Sequence, residues 1–172
     1  MDMEEIIQVC GKDILRFCRF TAGERDCGDE LYQDTMLYLM EHTGLIQTEK
    51  PVKGLVMSIA VFLWKSKKRK YARRMKLVTT ESLDALAEEN TEPADPGETT
   101  EELAIRRAEI ERMRAHLVKL PEKYKWPLLM YYLSGMDVRE IGRTLKLPPP
   151  TVKTRIRRAK EMLRKEMDEH ER

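Results

Sequence analysis

Aromatic residues make up only 6% of this 172-residue chain, and it holds just 8 glycines. Those two shortages argue against a β-sandwich or an α/β enzyme, which need many turns and large apolar side chains. Few segments alternate strictly between apolar and polar residues, so strands lack their usual signature. No apolar run approaches the length that spans a bilayer. The N-terminus, Met1-Asp2-Met3-Glu4-Glu5, is acidic and lacks a signal-peptide core, so the expected location is the cytoplasm. Of three cysteines, Cys10, Cys18 and Cys27, none has the paired spacing of a zinc or redox site. Cys10 and Cys18 fall on expected helix and read as small core hydrophobes, in preference to a thiol sensor or a metal site completed by His42. Catalysis also lacks support. The three histidines (His42, His116, His170) lie in unrelated segments, with no carboxylate–histidine constellation and no glycine-rich phosphate loop. No cofactor and no metal are expected.

What remains is 41% hydrophobic and 36% charged, a composition suited to amphipathic helices around small cores. The expected fold is all-α: two small helical domains joined by an acidic linker, the second a helix-turn-helix. Residues 1–77 form the first domain, 78–102 the linker and 103–172 the second domain. The net charge of +2 conceals segregation. Lys65 to Lys76 holds eight bases and no acid, whereas Glu81 to Glu102 holds nine acids and no base. Such blocks imply separate electrostatic tasks.

In the first domain, Ile6, Ile7, Cys10, Ile14, Phe17 and Cys18 mark the apolar side of a helix over 4–20. Thr21 to Gly28 reads as a loop, after which Asp29 can cap a helix to about His42. Leu31, Tyr32, Thr35, Met36 and Leu39 form its buried face. Pro51 opens a long helix in which Leu55, Ile59, Phe62 and Leu63 face inward. Residues 78–102, with Pro93 and Pro96 and little aromatic content, have too little apolar surface to pack alone. In the second domain, Leu103, Ile110, Met113 and Leu117 share a face, Leu120-Pro121-Glu122 breaks the helix, and Gly135 ends the next one.

The strongest motif lies near the C-terminus. Val138, Ile141, Gly142 and Leu145 repeat at i, i+3, i+4, i+7, and Val152, Ile156, Ala159 and Leu163 form a second apolar stripe. Pro148-Pro149-Pro150 separates them, and proline is tolerated only in a helix's first turn, so the second helix starts among 148–151. A helix-turn-helix with Lys153, Thr154, Arg157 and Arg158 pointing away from its buried stripe suits a DNA major groove. Lys153, Arg157 and Arg158 can reach guanine, and Thr154 either base type. Thr151 and Arg155 suit phosphate, with Tyr131 as a weaker backbone contact. The Lys65 to Lys76 run follows Phe62, Leu63 and Trp64 and carries Tyr71. Cations beside aromatics can track a backbone and stack on unpaired bases, which favours single-stranded DNA. Trp64, Lys65, Lys68, Arg69 and Tyr71 are the candidates.

In order and spacing, these fragments resemble the extracytoplasmic-function (group 4) sigma factors of bacterial RNA polymerase. Asp29-Glu30-Leu31-Tyr32-Gln33-Asp34-Thr35-Met36 looks like the core-binding helix of sigma region 2. Pro51 to Arg74, with Ser58-Ile59-Ala60 at its centre, looks like the helix that melts and reads the −10 element. Leu120-Pro121-Glu122-Lys123-Tyr124, the Gly135 turn, Glu140-Ile141-Gly142 and Thr151-Val152-Lys153-Thr154-Arg155 look like region 4, which reads the −35 element. The resemblance implies that Asp29, Glu30, Gln33 and Asp34 grip the largest-subunit coiled coil of core polymerase. It implies that Phe62, Lys65, Ser66 and Arg69 handle the non-template −10 strand. Pro150, Lys153, Thr154, Arg157 and Arg158 would face the −35 groove, with Thr151 on phosphate. Promoter DNA, core RNA polymerase and an inhibitory anti-sigma factor are the partners it implies, with no membrane insertion. Departures are Phe62 where many relatives have Asn, Lys146 where glycine is common in the turn, and the proline triplet in place of a Ser or Thr cap. The alternative from the motif alone is a dimeric helix-turn-helix regulator of palindromic sites; an adaptor docking through the acidic linker would leave both basic segments unexplained.

Overall fold

The computed structural model describes residues 1–46, 51–77, 97 and 99–170, with side chains excepted at 71, 72 and 74–77. The expected linker up to residue 96 therefore lies outside the described residues, as does residue 98. Among the described residues the chain is helical with no strand.

Helix α1 (Met3–Ala22) opens with a capping box in which Asp2 and Glu5 satisfy each other's backbone N–H. Ile6, Cys10, Ile14, Phe17 and Cys18 bury one stripe, but Ile7 is exposed, one step round from that stripe. Gly23 ends α1 with φ 78°, a left-handed turn that places α2 (Arg25–Glu41) almost immediately after. The expected loop over Thr21 to Gly28 is thus mostly helix, and Asp29 is not a cap. Its carboxylate instead accepts from Arg19 Nε at 2.6 Å. Gly28 is where α1 and α2 cross: a Cβ there would lie 2.4 Å from the Arg19 Cα. Leu31, Thr35, Met36 and Leu39 are buried on α2, and Thr35 Oγ1 donates to the Leu31 carbonyl at 2.6 Å, so its hydroxyl is not orphaned.

Pro51 offers its carbonyl to Leu55 N–H and starts α3 (Val52–Leu77). Val56, Met57, Ile59, Ala60 and Val61 enter the core. Phe62 does not. It is 53% exposed, because residues 56, 57, 60 and 61 already fill the inward face.

Helix α4 (Thr100–Lys119) begins with a second capping box, Thr99 with Glu102. Glu101 and Glu102 are therefore its first turn, where acids favour the positive end of the helix dipole, and not linker. Leu117 is buried, whereas Met113 is 38% exposed and Arg114 and His116 take buried places. Leu120 adopts the extended conformation demanded by Pro121, and α5 (Glu122–Tyr132) follows. Trp126, Pro127, Leu128, Leu129 and Met130 bury its inner face; Tyr132 is exposed. Gly135 at φ 63° closes the turn, with Met136 N–H reaching back to the Met130 carbonyl.

Helices α1, α2 and α3 form one helical unit, and α5, α6 (Val138–Leu145) and α7 (Pro149–His170) form another. The two are in contact: α3 packs on α6, α1 on α5, and α4 bridges α1 and α7. Lys53 of α3 joins Asp13 of α1 at 2.6 Å and the Ser134 carbonyl at 3.0 Å. Gly54 sits so close to α6 that a Cβ would meet Thr144 Oγ1 at 2.8 Å. The placement of two basic surfaces follows from this packing. Among the described residues no helix is long and apolar enough to cross a membrane.

Candidate nucleic-acid interface

The turn between α6 and α7 is built from its ends inward. Asp137 and Glu140 form a capping box on α6, and Lys146 stops the helix in the left-handed conformation, φ 56°. The Lys146 and Leu147 N–H groups both return to the Gly142 carbonyl. Gly142 is required by close approach, since a Cβ would lie 2.7 Å from the Leu147 carbonyl oxygen. Pro148 accepts the first backbone bond of α7 from Val152, so Pro149 and Pro150 occupy the first turn, where a missing N–H costs nothing. Val152, Ile156 and Ala159 are buried against α6 and α5. Pro150, Lys153, Arg157 and Arg158 are exposed on the opposite side, with Thr151, Thr154 and Arg155 half-buried beside them. All seven residues expected on this face lie together in about two and a half turns of α7.

Beside this face is an open groove of about 380 Å³, lined by Lys123, Tyr124, Pro150, Thr151, Thr154, Arg155 and Arg158. Hydrogen bonding to Arg158 holds the Tyr124 phenol below its usual range. Lys123 lies over the Tyr124 ring at 4.9 Å and Lys160 over the Tyr132 ring at 5.0 Å. Cations backed by aromatic rings, next to a helix N-terminus, suit a phosphate. The place of Lys123 beside the face is a tertiary result, whereas Lys160 follows Lys153 and Arg157 at helical spacing on α7. Tyr131 is 41% exposed, edge-on to Tyr132.

On α3 the expected single-strand residues divide between faces. Phe62, Ser66 and Arg69 follow one stripe at i, i+4, i+7, and Phe62 tilts toward Tyr38 of α2 with ring centroids 6.3 Å apart. Tyr38 in turn stacks on His42 at 4.1 Å, which makes a three-ring platform. Tyr38 is not among the residues expected at a site, and His42 is weighed from sequence only as a metal ligand. Their i, i+4 spacing on α2 was the available signal. Trp64 and Lys68 point elsewhere. Both bond Glu122 Oε1 of α5, at 2.9 and 2.6 Å, and Lys65 lies over the Trp126 ring at 5.3 Å. Burial pulls the nearby Lys125 ammonium below its usual range, with Glu122 acting against the shift. The side chain of Tyr71 lies outside the described residues.

A third face of α3 meets α2. Lys67 Nζ reaches Glu30 at 3.0 Å and Asp34 at 2.9 Å. Partial burial alone would lower this ammonium's pKa, but bonding to Asp34 and then Glu30 outweighs it and the net shift is upward. Glu30 and Gln33 remain exposed, while Asp29 is held by Arg19 and does not join them. Leu37 and Met40, 54% and 56% exposed, extend the same outer face of α2. Residues 30, 33, 37 and 40 therefore make a mixed acidic and apolar strip. Charge does not mark the apolar half, which only the placement of α2 on its neighbours brings to the surface.

Cys10 and Cys18 are buried, free thiols in the core, while Cys27 is exposed. Burial pushes the Cys18 thiol up to about 12, Thr35 acting against the shift and Asp29 with it. The histidines depart from the sequence reading. His116 and His170, from segments 54 residues apart, meet edge-on with ring centroids 5.1 Å apart.

The sigma-70 region 4 family matches residues 110–163, which run from the second half of α4 through most of α7. The chain is 43% identical over 51 residues to the ECF RNA polymerase sigma factor SigW of Bacillus subtilis (strain 168), a match covering 30% of this chain and 27% of that protein. It is 26% identical over 142 residues to the ECF RNA polymerase sigma factor EcfG of Rhodopseudomonas palustris (strain TIE-1), covering 83% of this chain and 72% of that one. Its fold is similar to that of the sigma factor RpoE of Bartonella quintana, solved with the anti-sigma factor NepR, with a TM-score of 0.74 at 18% identity over 96% of this chain and 95% of that one. CnrH, solved with the cytosolic domain of CnrY, has a TM-score of 0.63 at 15% identity, covering 96% and 87%. The C-terminal helix-turn-helix is thus similar to sigma-70 region 4, and the arrangement of two helical units is similar to the fold of these sigma factors. Both of the relatives matched in sequence are extracytoplasmic-function sigma factors, and the SigW match spans only about a quarter of that protein's length.

Proposed function

We propose that this chain is an extracytoplasmic-function sigma factor that binds core RNA polymerase and directs promoter-specific initiation, with α7 in the −35 major groove and α3 on the melted −10 strand. The observation that carries this reading is the presence of two basic surfaces on separate helical units. One is a major-groove face on α7; the other is a cation-and-aromatic face on α3. A dimeric repressor needs only the first.

In the −35 element, Lys153, Arg157 and Arg158 read base edges and Thr154 contacts a base or methyl, while Pro150 packs at the groove. Thr151, Arg155 and the Lys123–Tyr124 groove hold phosphates and set register. At −10, the Phe62 ring supplies a stacking surface with Tyr38 beside it. Ser66 and Arg69 follow the backbone, and Trp64, Lys65 and Lys68 join them when their contacts with α5 open, with Tyr71 as a further candidate. Stacking on an aromatic face is worth about 1–3 kcal/mol per base. The strip on α2 formed by Glu30, Gln33 and Asp34, with Leu37 and Met40, meets the largest-subunit coiled coil of polymerase. Asp29 supports it by anchoring α2 to α1. Helical units over 1–77 and from the Thr99 cap of α4 onward, with an acidic tether between, accommodate a grip at two separated promoter elements. Catalysis belongs to the polymerase, and this chain contributes promoter choice and strand opening from the cytoplasm. An anti-sigma protein, of the kind in the RpoE complex, is the regulator that fits.

The test adds purified protein to core polymerase on genomic DNA and maps transcript 5′ ends by sequencing. New starts behind one shared pair of upstream elements are expected. Tight duplex binding by the protein alone, without any new start, would favour the dimeric regulator instead.

A further inference from the structure

We propose that His116, Glu166 and His170 form a binding site for a divalent transition-metal ion of the zinc class, bridging α4 and the end of α7. One ligand atom from each of the three lies within 4.8 Å of the others. Around a tetrahedral ion with bonds of about 2.0–2.2 Å, neighbouring ligand atoms sit roughly 3.4 Å apart. Small side-chain rotations close that difference. Glu166 and His170 are four residues apart on α7 and so share one face, turned toward α4.

A second observation points the same way. His116 is only 4% exposed, and its Nδ1 is buried with no hydrogen-bond partner. A buried imidazole without a partner is costly, and the deep position is where a ligand to an ion would be held most rigidly. His170, edge-on to His116, is exposed and can swing onto an ion from solvent. Glu166 is half-buried, and Lys119 Nζ stands 3.3 Å from its carboxylate at the rim. An entering ion takes over that carboxylate, and the exposed Lys119 chain turns into water. Two imidazoles and one carboxylate select zinc, cobalt or nickel over magnesium or calcium, which prefer all-oxygen shells. Three protein ligands leave a fourth position for water.

The α4–α7 contact is among the sparser ones in the fold. An ion there fastens the far end of the recognition helix to the helix that follows the linker. Occupancy thus stabilises the C-terminal unit, whether or not the promoter assignments above hold.

The test titrates the full chain with Co²⁺ and follows visible absorption, with Zn²⁺ competition and thermal melting alongside. One equivalent is expected to give the bands of a four-coordinate nitrogen and oxygen site, without thiolate charge transfer from Cys27. Zn²⁺ should displace it and raise Tm, while Mg²⁺ does neither. H170A and E166Q, both at accessible positions, should keep the metal-free Tm and weaken binding by more than about tenfold, since even outer-shell changes cost that much. Unchanged affinity in H170A, thiolate bands, or Mg²⁺ acting as well as Zn²⁺ would each overturn the site.

Discussion

A fully buried thiol and a lysine in the left-handed conformation show how single residues carry measurable consequences. Cys18 has no contact with water, so its thiol titrates near 12 in the fold against an ordinary value of 9.0. Its folded pKa is raised, so its contribution is complete below pH 9 and is lost as pH climbs toward 12. In that window the unfolded thiol ionises and the folded one does not. Stability should fall there by up to about 1.4 kcal/mol per pH unit from this group. Denaturant melts between pH 8 and 11 should show a shallower decline in Cys18→Ala. Lys146 holds φ 56° with no glycine to ease it. A side chain in that region costs about 1–2 kcal/mol, while glycine loses about 0.5–1 kcal/mol in unfolded-chain entropy. Lys146→Gly should therefore raise stability by about 0.5–1 kcal/mol in urea titration without altering the turn.

Two elements depend on how closely helices approach. Gly28 lets α2 lie against the Arg19 backbone, and a methyl there has no space to occupy. Gly28→Ala should cost about 1–3 kcal/mol, the range for overpacking, and should separate α1 from α2. Loss of the Arg19–Asp29 pair would accompany it, and thermal melting checks the magnitude. On α7, burial of Val152, Ile156 and Ala159 sets the rotation that exposes the basic face. Arg158 is shared between that face and the Tyr124 groove. If it makes a bidentate base contact, Arg158→Ala should weaken −35-dependent transcription by about 1–3 kcal/mol and relax preference at one base position. Run-off transcription from promoter variants measures both.

At the scale of the molecule, the α3 surface proposed for single-stranded DNA is partly engaged by α5. Glu122 receives both Trp64 and Lys68, and Lys53 ties α3 to Ser134. Use of the whole α3 track requires these contacts to open. The Lys68 side chain is 55% exposed, so its ion pair with Glu122 contributes no more than about 1 kcal/mol. Glu122→Gln keeps an acceptor for Trp64 but removes that pair. Affinity of the free protein for single-stranded DNA should rise by up to about fivefold, the equivalent of ~1 kcal/mol. Fluorescence anisotropy with a labelled oligonucleotide measures it, and unchanged affinity would mean that the contact does not restrain α3.

Periodicity alone determined much of this protein. The helix-turn-helix, its proline-led second helix and the buried faces of α1 and α2 were legible. Each rests on local rules of spacing, capping and backbone restriction, which act within a few residues. Tertiary structure decided which charges are used. Asp29 reads as a cap from its place in the chain but serves as an anchor for Arg19, because α2 starts a turn earlier. Phe62 reads as core but faces solvent, because its neighbours already fill the inward side. Trp64 and Lys68 share a sequence block with Arg69 yet meet a different helix. His116 and His170, unrelated along the chain, become neighbours only when α4 lies across α7. Contacts between segments far apart in sequence depend on how helices cross, and no local pattern encodes that angle.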